Sequence, residues 1–275
     1  IEGLEQGVKD AYLALIMVSA PNLRHLRFGG HFFLDSMHIG NIMRFAISSK
    51  PLPTILPHLE TVCLERKIPR QREWSERNTE DILPFFYLPK LKNMSIWISD
   101  PPTRHIPWPL GTPPCLPNLE TLKIHDLREV HLEQTLSITP NLKSLHWEWH
   151  YEPGIQDDEF NTHVMDLSLF KPALQPVQQS LVELRIEAHV GVWQWWFPVH
   201  RVVNSPPTWL ARFPKLKKLR IPVICFTGFD GIHVSHMSGD LVTGECLPHT
   251  LEQLDLSDDL LPGASGQILS LPRPK

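Results

Sequence analysis

The chain has 275 residues, 26 basic against 30 acidic side chains for a formal charge of −4, and 42% apolar residues. That apolar share can bury a sizeable core, which excludes wholesale disorder, and the slight acidic balance lacks the electrostatic signature of a nucleic-acid or anionic-membrane binder. Proline is the outlier, with 27 residues against 14 glycines, about twice the usual share.

Near the start, the apolar run from Ala11 to Ala20 (AYLALIMVSA) is about half the roughly 20 residues that a membrane span needs, and no basic region precedes it. It reads as a buried helix. The chain begins with Ile1 rather than Met, so a piece of something longer is expected. Cys63, Cys115, Cys225 and Cys246 contain no C-x-x-C pair, which argues against a disulfide scaffold and against a zinc knuckle. A reduced, intracellular protein, cytoplasmic or nuclear, is the expectation.

Further along, one pattern appears eight times: PNLRHLRF from Pro21, PHLETVCL from Pro57, PKLKNMSI from Pro89, PNLETLKI from Pro117, PNLKSLHW from Pro140, QSLVELRI from Gln179, PKLKKLRI from Pro214 and HTLEQLDL from His249. The consensus is P-x-L-x-x-L-x-L. Its leading leucines, from Leu23 to Leu251, are 23 to 39 residues apart, and six of the eight units carry proline two residues before that leucine. The last two apolar positions differ by two, which puts both on one face of a short strand. Proline stops the preceding helix and lets the chain turn into the strand.

Between these strands, Asp35 to Ser48 opens on a capping residue and aligns Ile39, Ile42, Met43 and Ala46 on one stripe; Asp126 to Leu136 starts with a capping-box-like Asp126 and Glu129. Asp158 to Phe170 and Thr208 to Phe213 are shorter helix candidates. Pro101 to Pro117, with seven prolines, reads as extended, polyproline-like covering on the convex side. A strand and a return helix cannot bury their apolar faces alone, but stacked copies share a core. The predicted fold is α/β: a single domain over 1–275 of about eight uneven repeats, a curved solenoid with parallel strands on the concave face and irregular helices and loops on the convex face.

These segments resemble the leucine-rich repeat family from Leu4 to about Leu261. Long units such as LPNLETLKI at Leu116 to Ile124 resemble the repeat region of fungal F-box proteins. The chain departs from the short repeat at the slot of the buried asparagine, held here by His31, Lys67, Ser99, Leu127, His150, His189, Ile224 and Asp259. The resemblance implies substrate recognition for a cullin-type ubiquitin ligase, with a Skp adaptor docked on an F-box upstream of Ile1. The alternative is a stand-alone leucine-rich-repeat scaffold or regulator without a ligase link.

The outward strand positions are almost all polar, as a half-solvated sheet demands, and solenoids bind protein targets on such faces. The candidate contact residues are His25, Arg27, Lys123, His146, Arg185, Lys218 and Arg220, with Arg185, Lys218 and Arg220 expected to stack into one basic patch beside Glu183. Trp193, Trp195 and Trp196, extended by Trp147 and Trp149, form an aromatic cluster that serves as a contact loop or packs under the solenoid edge. His146 and His150 are four apart, but on a strand that spacing does not make a helical ligand face. There is no GxSxG, GxxxxGK[ST] or GxGxxG signature. No enzyme activity, cofactor, metal, nucleic acid, membrane or small-molecule substrate is expected.

Overall fold

The computed structural model describes residues 2–29, 37–48, 55–64, 79–98, 101, 103–151, 165–190, 208–227, 246–257 and 268–270. They fall into two compact units, Ile1–Leu122 and Lys123–Lys275.

The first unit holds α1 (Glu2–Glu5), α2 (Lys9–Ser19), β1 (His25–Phe28), α3 (Met37–Ser48), β2 (Thr61–Leu64), α4 (Thr79–Ile82), a 3-10 turn at Leu83–Tyr87, β3 (Asn93–Trp97) and the start of β4 (Thr121–His125). Strands β1, β2 and β3 pair in parallel, with His25, Thr61 and Asn93 in one row. The second unit continues with the end of β4, then α5 (Glu129–Leu136), β5 (Ser144–Tyr151), a 3-10 turn at Leu167–Leu169, α6 (Phe170–Leu174), β6 (Glu183–Val190), a 3-10 turn at Thr208–Arg212, β7 (Lys218–Pro222), α7 (Ile224–Thr227), β8 (Gln253–Ser257) and β9 (Ile268–Ser270). Here β5 to β8 are parallel in chain order, with Ser144, Glu183, Lys218 and Gln253 in one row, and β9 adds antiparallel to β8. Each unit is therefore α/β with parallel strands in chain order, as the repeat predicts.

One turn feeds almost every strand. The leading leucine donates its N–H to the carbonyl three residues earlier: Leu59 to Leu56 at 3.1 Å, Leu119 to Leu116 at 3.2 Å, Leu142 to Thr139 at 3.1 Å, Leu216 to Phe213 at 3.4 Å. The repeat proline occupies the second position of that turn, where its fixed φ is already the one required. It shapes the turn as well as ending what precedes it. Beyond the turn, one carbonyl accepts two N–H groups from the next repeat: Arg24 from Glu60 and Thr61, Glu60 from Lys92 and Asn93, Lys143 from Val182 and Glu183, Lys217 from Glu252 and Gln253. Repeating this clamp holds the register constant within each unit.

Of the L-x-x-L-x-L side chains, all are buried except Leu23, Leu251, Leu254 and Leu256, which are half-buried. The exceptions lie in the repeats of β1 and β8.

Several local expectations need correction. The Ala11–Ala20 run is a helix but not a buried one: Asp10, Ala11, Ala14 and Met17 face inward, while Tyr12, Leu15, Ile16 and Val18 are 49 to 60% exposed. A run that is apolar all round cannot say which stripe will be covered. Asp10 is buried because its carboxylate accepts the N–H groups of His38 (2.5 Å) and Ile39 (3.3 Å), orphan donors at the start of α3. On α3, Ile39, Met43 and Ala46 are buried and Ile42 is partly exposed. Gly40 is required by close approach, since a Cβ there would sit 1.7 Å from Asp81 Oδ1.

The capping box at Asp126 does not form. Helix α5 starts at Glu129, and Asp126 has φ +69°. Glu129 instead takes the guanidinium of Arg128, at 3.1 and 3.2 Å, and the N–H of Asp166 at 3.0 Å. Arg128 is 1% exposed and lies 4.8 Å from the Trp149 ring centroid, so its charge has to be matched within the core. Thr208–Arg212 is a 3-10 turn, and the described end of the Asp158–Phe170 candidate starts as one at Leu167–Leu169. Within Pro101–Pro117 the described residues form neither helix nor strand; Trp108 packs edge-on to Phe86 and Tyr87, and the Tyr87 hydroxyl donates to the Thr112 carbonyl at 2.5 Å.

Candidate functional site

The outward side chains of β4, β5 and β6 in the second unit, with those of β7, gather into one charged cluster. Strands β5 and β6 have eight residues where β1 and β2 have four, and their in-register pairing extends to Tyr151 and Val190. Alternation therefore continues past the repeat consensus and adds Glu148 and Glu187 to the face that already carries His146 and Arg185. The same alternation keeps Trp147 and Trp149 inward, where both are 0% exposed, so they do not extend an aromatic contact surface. It also sends His150 and His189 outward, at the slot where a short leucine-rich repeat buries asparagine.

Glu148 accepts from Lys123 Nζ at 2.7 Å and contacts His125 Nδ1, and His146 Nε2 is 3.3 Å away. Glu187 accepts from His146 Nε2 at 2.8 Å, Arg185 at 2.5 and 2.9 Å, and Arg220 Nη2 at 3.0 Å. Burial alone would raise both carboxyls. At Glu148 the hydrogen bond and charge of His125, then Lys123, outweigh it and bring the group down to about 2. At Glu187 the bonds from His146 and Arg185 likewise hold the carboxyl below its ordinary range. Burial lowers His146, against the pull of Glu187 and Glu148.

His146, Glu148 and Glu187 place one ligand atom each within 4.8 Å of one another, the geometry of a partial metal site. Both carboxylates, however, already face cations, and a divalent ion would have to displace Lys123 from Glu148 and add charge beside Arg185 and Arg220. The arrangement is an ion-pair cluster that fixes side-chain positions on the face.

Of the expected contact residues, the structure brings Lys123, His146, Arg185 and Arg220 together. Lys218 is exposed one row away, beside Glu183. The expected basic patch is corrected: Arg185 and Arg220 are engaged by Glu187, and Lys123, Arg185, Lys218 and Arg220 share the face with Glu148, Glu183, Glu187 and Asp255. The result is mixed and locally neutral. His25 and Arg27 lie on β1 in the first unit, exposed, beside Thr61 and Cys63. Trp193, Trp195 and Trp196 lie outside the described residues. His125, Glu148 and Glu187 were not expected, although counting in twos through SLHWEWHY and ELRIEAHV would have found the two glutamates.

The pH dependence follows from these shifts. Below the ordinary histidine value of 6.5 the unfolded chain protonates the position of His146 before the folded chain does. Below 4.5 it also protonates the two glutamates, which stay ionised in the fold until about pH 2 for Glu148. At these three groups the unfolded state binds more protons across this window, so the stability they contribute falls on acidification, against the smaller opposite effect of Asp81, whose carboxyl burial raises. Urea midpoints between pH 7 and pH 3 are expected to decrease, with a shallower decrease in Glu148→Gln; an unchanged slope in that variant would contradict the ion pairing.

Comparison with known protein families, curated proteins and solved structures finds no match for this chain. Among the described residues no helix is long and apolar enough to cross a membrane.

Proposed function

We propose that the chain is a non-enzymatic protein-interaction domain of leucine-rich-repeat type, wound as a curved solenoid, and that the outward strand face around Lys123, His146, Arg185 and Arg220 grips a protein partner. One observation carries this reading: long, in-register parallel strands present a broad polar face whose charged side chains are already held in place by Glu148 and Glu187. Side chains fixed before binding lose little entropy on contact, and mixed charge favours specificity over bulk attraction. Carboxylates kept this far below their ordinary range are poor bases at neutral pH, which favours recognition over catalysis. On the resemblance to fungal F-box repeats, the partner is a substrate delivered to a cullin-type ubiquitin ligase, and a Skp adaptor binds elsewhere on the full protein.

The test uses Lys218→Glu with His189→Glu, two exposed positions on this face. Affinity purification of the full-length protein is expected to recover a Skp adaptor with both forms, whereas the charge-altered form retains the target at least about tenfold less well. Recovery of the target without any adaptor selects the scaffold alternative. Equal retention of every partner by both forms defeats the strand-face assignment.

A further inference from the structure

On the helical side of the second unit, away from the strand residues just described, Leu167, Ser168, Lys171, Thr208, Trp209 and Arg212 line an open cleft of about 400 Å³. Three observations converge on it. Lys171 and Arg212 are both exposed and form no ion pair with a carboxylate among the described residues, unlike Lys123, Arg185 and Arg220. Ser168 and Thr208 add two exposed hydroxyls at the same opening. Trp209 is only 5% exposed, its ring stacked on Phe170 and edge-on to Phe213, and its enclosed indole N–H has no hydrogen-bond partner among the described residues.

The cations and hydroxyls are the exposed polar groups that a ligand in the cleft would meet, and the enclosed indole stands in its wall as a reporter. We propose that this cleft binds a dianionic phosphate group. The chemistry selects that class: two cations match two negative charges, and a guanidinium, an ammonium and two hydroxyls supply more donors than the two oxygens of a carboxylate can use. Leu167 and the Trp209 ring leave an apolar wall for whatever carries the phosphate, and the volume is at the small end of ligand sites, so a phosphomonoester fits better than a bulky cofactor. The nearest acid along the chain, Asp166, accepts the Ser168 N–H at 2.9 Å and so has a local role. The inference does not depend on the strand-face reading.

The phosphate is supplied by a free small molecule or by a phosphorylated side chain, and the experiment separates the two. Inorganic phosphate and a short phosphoserine peptide are titrated into the intact protein while the tryptophan indole N–H resonances are followed by NMR, with Trp209→Phe identifying the signal. Saturable movement of the Trp209 signal is expected with both probes, tighter for the peptide if a phosphorylated side chain is the natural source and equal or weaker if it is a small molecule. Lys171→Glu and Arg212→Glu are each expected to weaken binding about tenfold or more, while Lys9→Glu, the same charge change on an exposed residue of the first unit, leaves it unchanged. No saturable shift with either probe, or equal weakening by Lys9→Glu, overturns the proposal. The charged variants alter exposed side chains only, and matching circular dichroism melts establish that each is folded.

Discussion

Trp147→Ala is expected to destabilise the second unit by about 3–5 kcal/mol, read as a lowered urea midpoint. The indole is 0% exposed, meets Phe170 edge-on at 4.7 Å between centroids, and donates Nε1–H to the Leu127 carbonyl at 2.7 Å. Truncation therefore opens a large cavity and strips a buried carbonyl of its donor. Trp147→Phe separates the two effects: it keeps most of the ring and loses only the hydrogen bond, for about 1–3 kcal/mol. The alternative assignment, in which Trp147 belongs to an exposed contact surface, predicts near-wild-type stability for both variants and a loss of binding instead. An alanine variant within about 1 kcal/mol of wild type would overturn the inward placement and the register of β5 with it.

That same strand shows where sequence reading succeeds and where it stops. The consensus L-x-x-L-x-L placed Leu145 and Trp147 inward and Ser144 and His146 outward, because two-residue alternation and the leading proline are local properties, the first repeated in all eight units and the second in six. Strand length is not local. Whether β5 ends after Trp147 or continues to Tyr151 depends on whether β6 supplies partners that far, and the pairing of Glu148 with Glu187 and of His150 with His189 shows that it does. The sequence pattern treated residue 150 as the buried slot of a short repeat; a strand that keeps alternating turns that slot outward. The candidate site is therefore half legible from composition. Its cations sit inside the consensus, and its carboxylates sit just beyond it.

Charge pairing escaped for a related reason. Lys218 and Arg220 look like a basic stripe along the chain, yet Arg220 lies across the sheet from Glu187, 33 positions earlier, and the Arg220–Glu187 contact exists only once β6 and β7 are in register. At the first unit the equivalent long-range pairs run down the turn row instead: Glu60 bonds Lys92 at 2.7 Å and lies 3.6 Å from Arg24. Opposite charges in consecutive repeats at one position favour this register over a slipped one, although such exposed pairs add little stability.

Neutralising Glu187 separates a structural role for the cluster from a binding role. Glu187→Gln removes the one carboxylate shared by His146, Arg185 and Arg220, with a side chain only 8% exposed. The isostere still accepts a hydrogen bond, but it removes the counter-charge that the neighbouring guanidinium groups of Arg185 and Arg220 share. Removing one member of a well-buried ion pair costs about 3–5 kcal/mol, and because Arg185 is 39% exposed and regains water, a loss of about 2–4 kcal/mol is expected here. Arg220→Met in the same background is expected to restore part of it, since the repulsion disappears with the charge and the double variant becomes less damaging than the sum of the two singles. Binding has the opposite sign. The variant face carries one more net positive charge, so an acidic partner binds Glu187→Gln at least as tightly as wild type once the protein is folded, at low salt most of all. A partner that instead reads Glu187 directly loses affinity in proportion to the missing charge. Measuring the urea midpoint and the partner affinity on the same preparation therefore tells whether this carboxylate organises the face or is itself what the partner contacts.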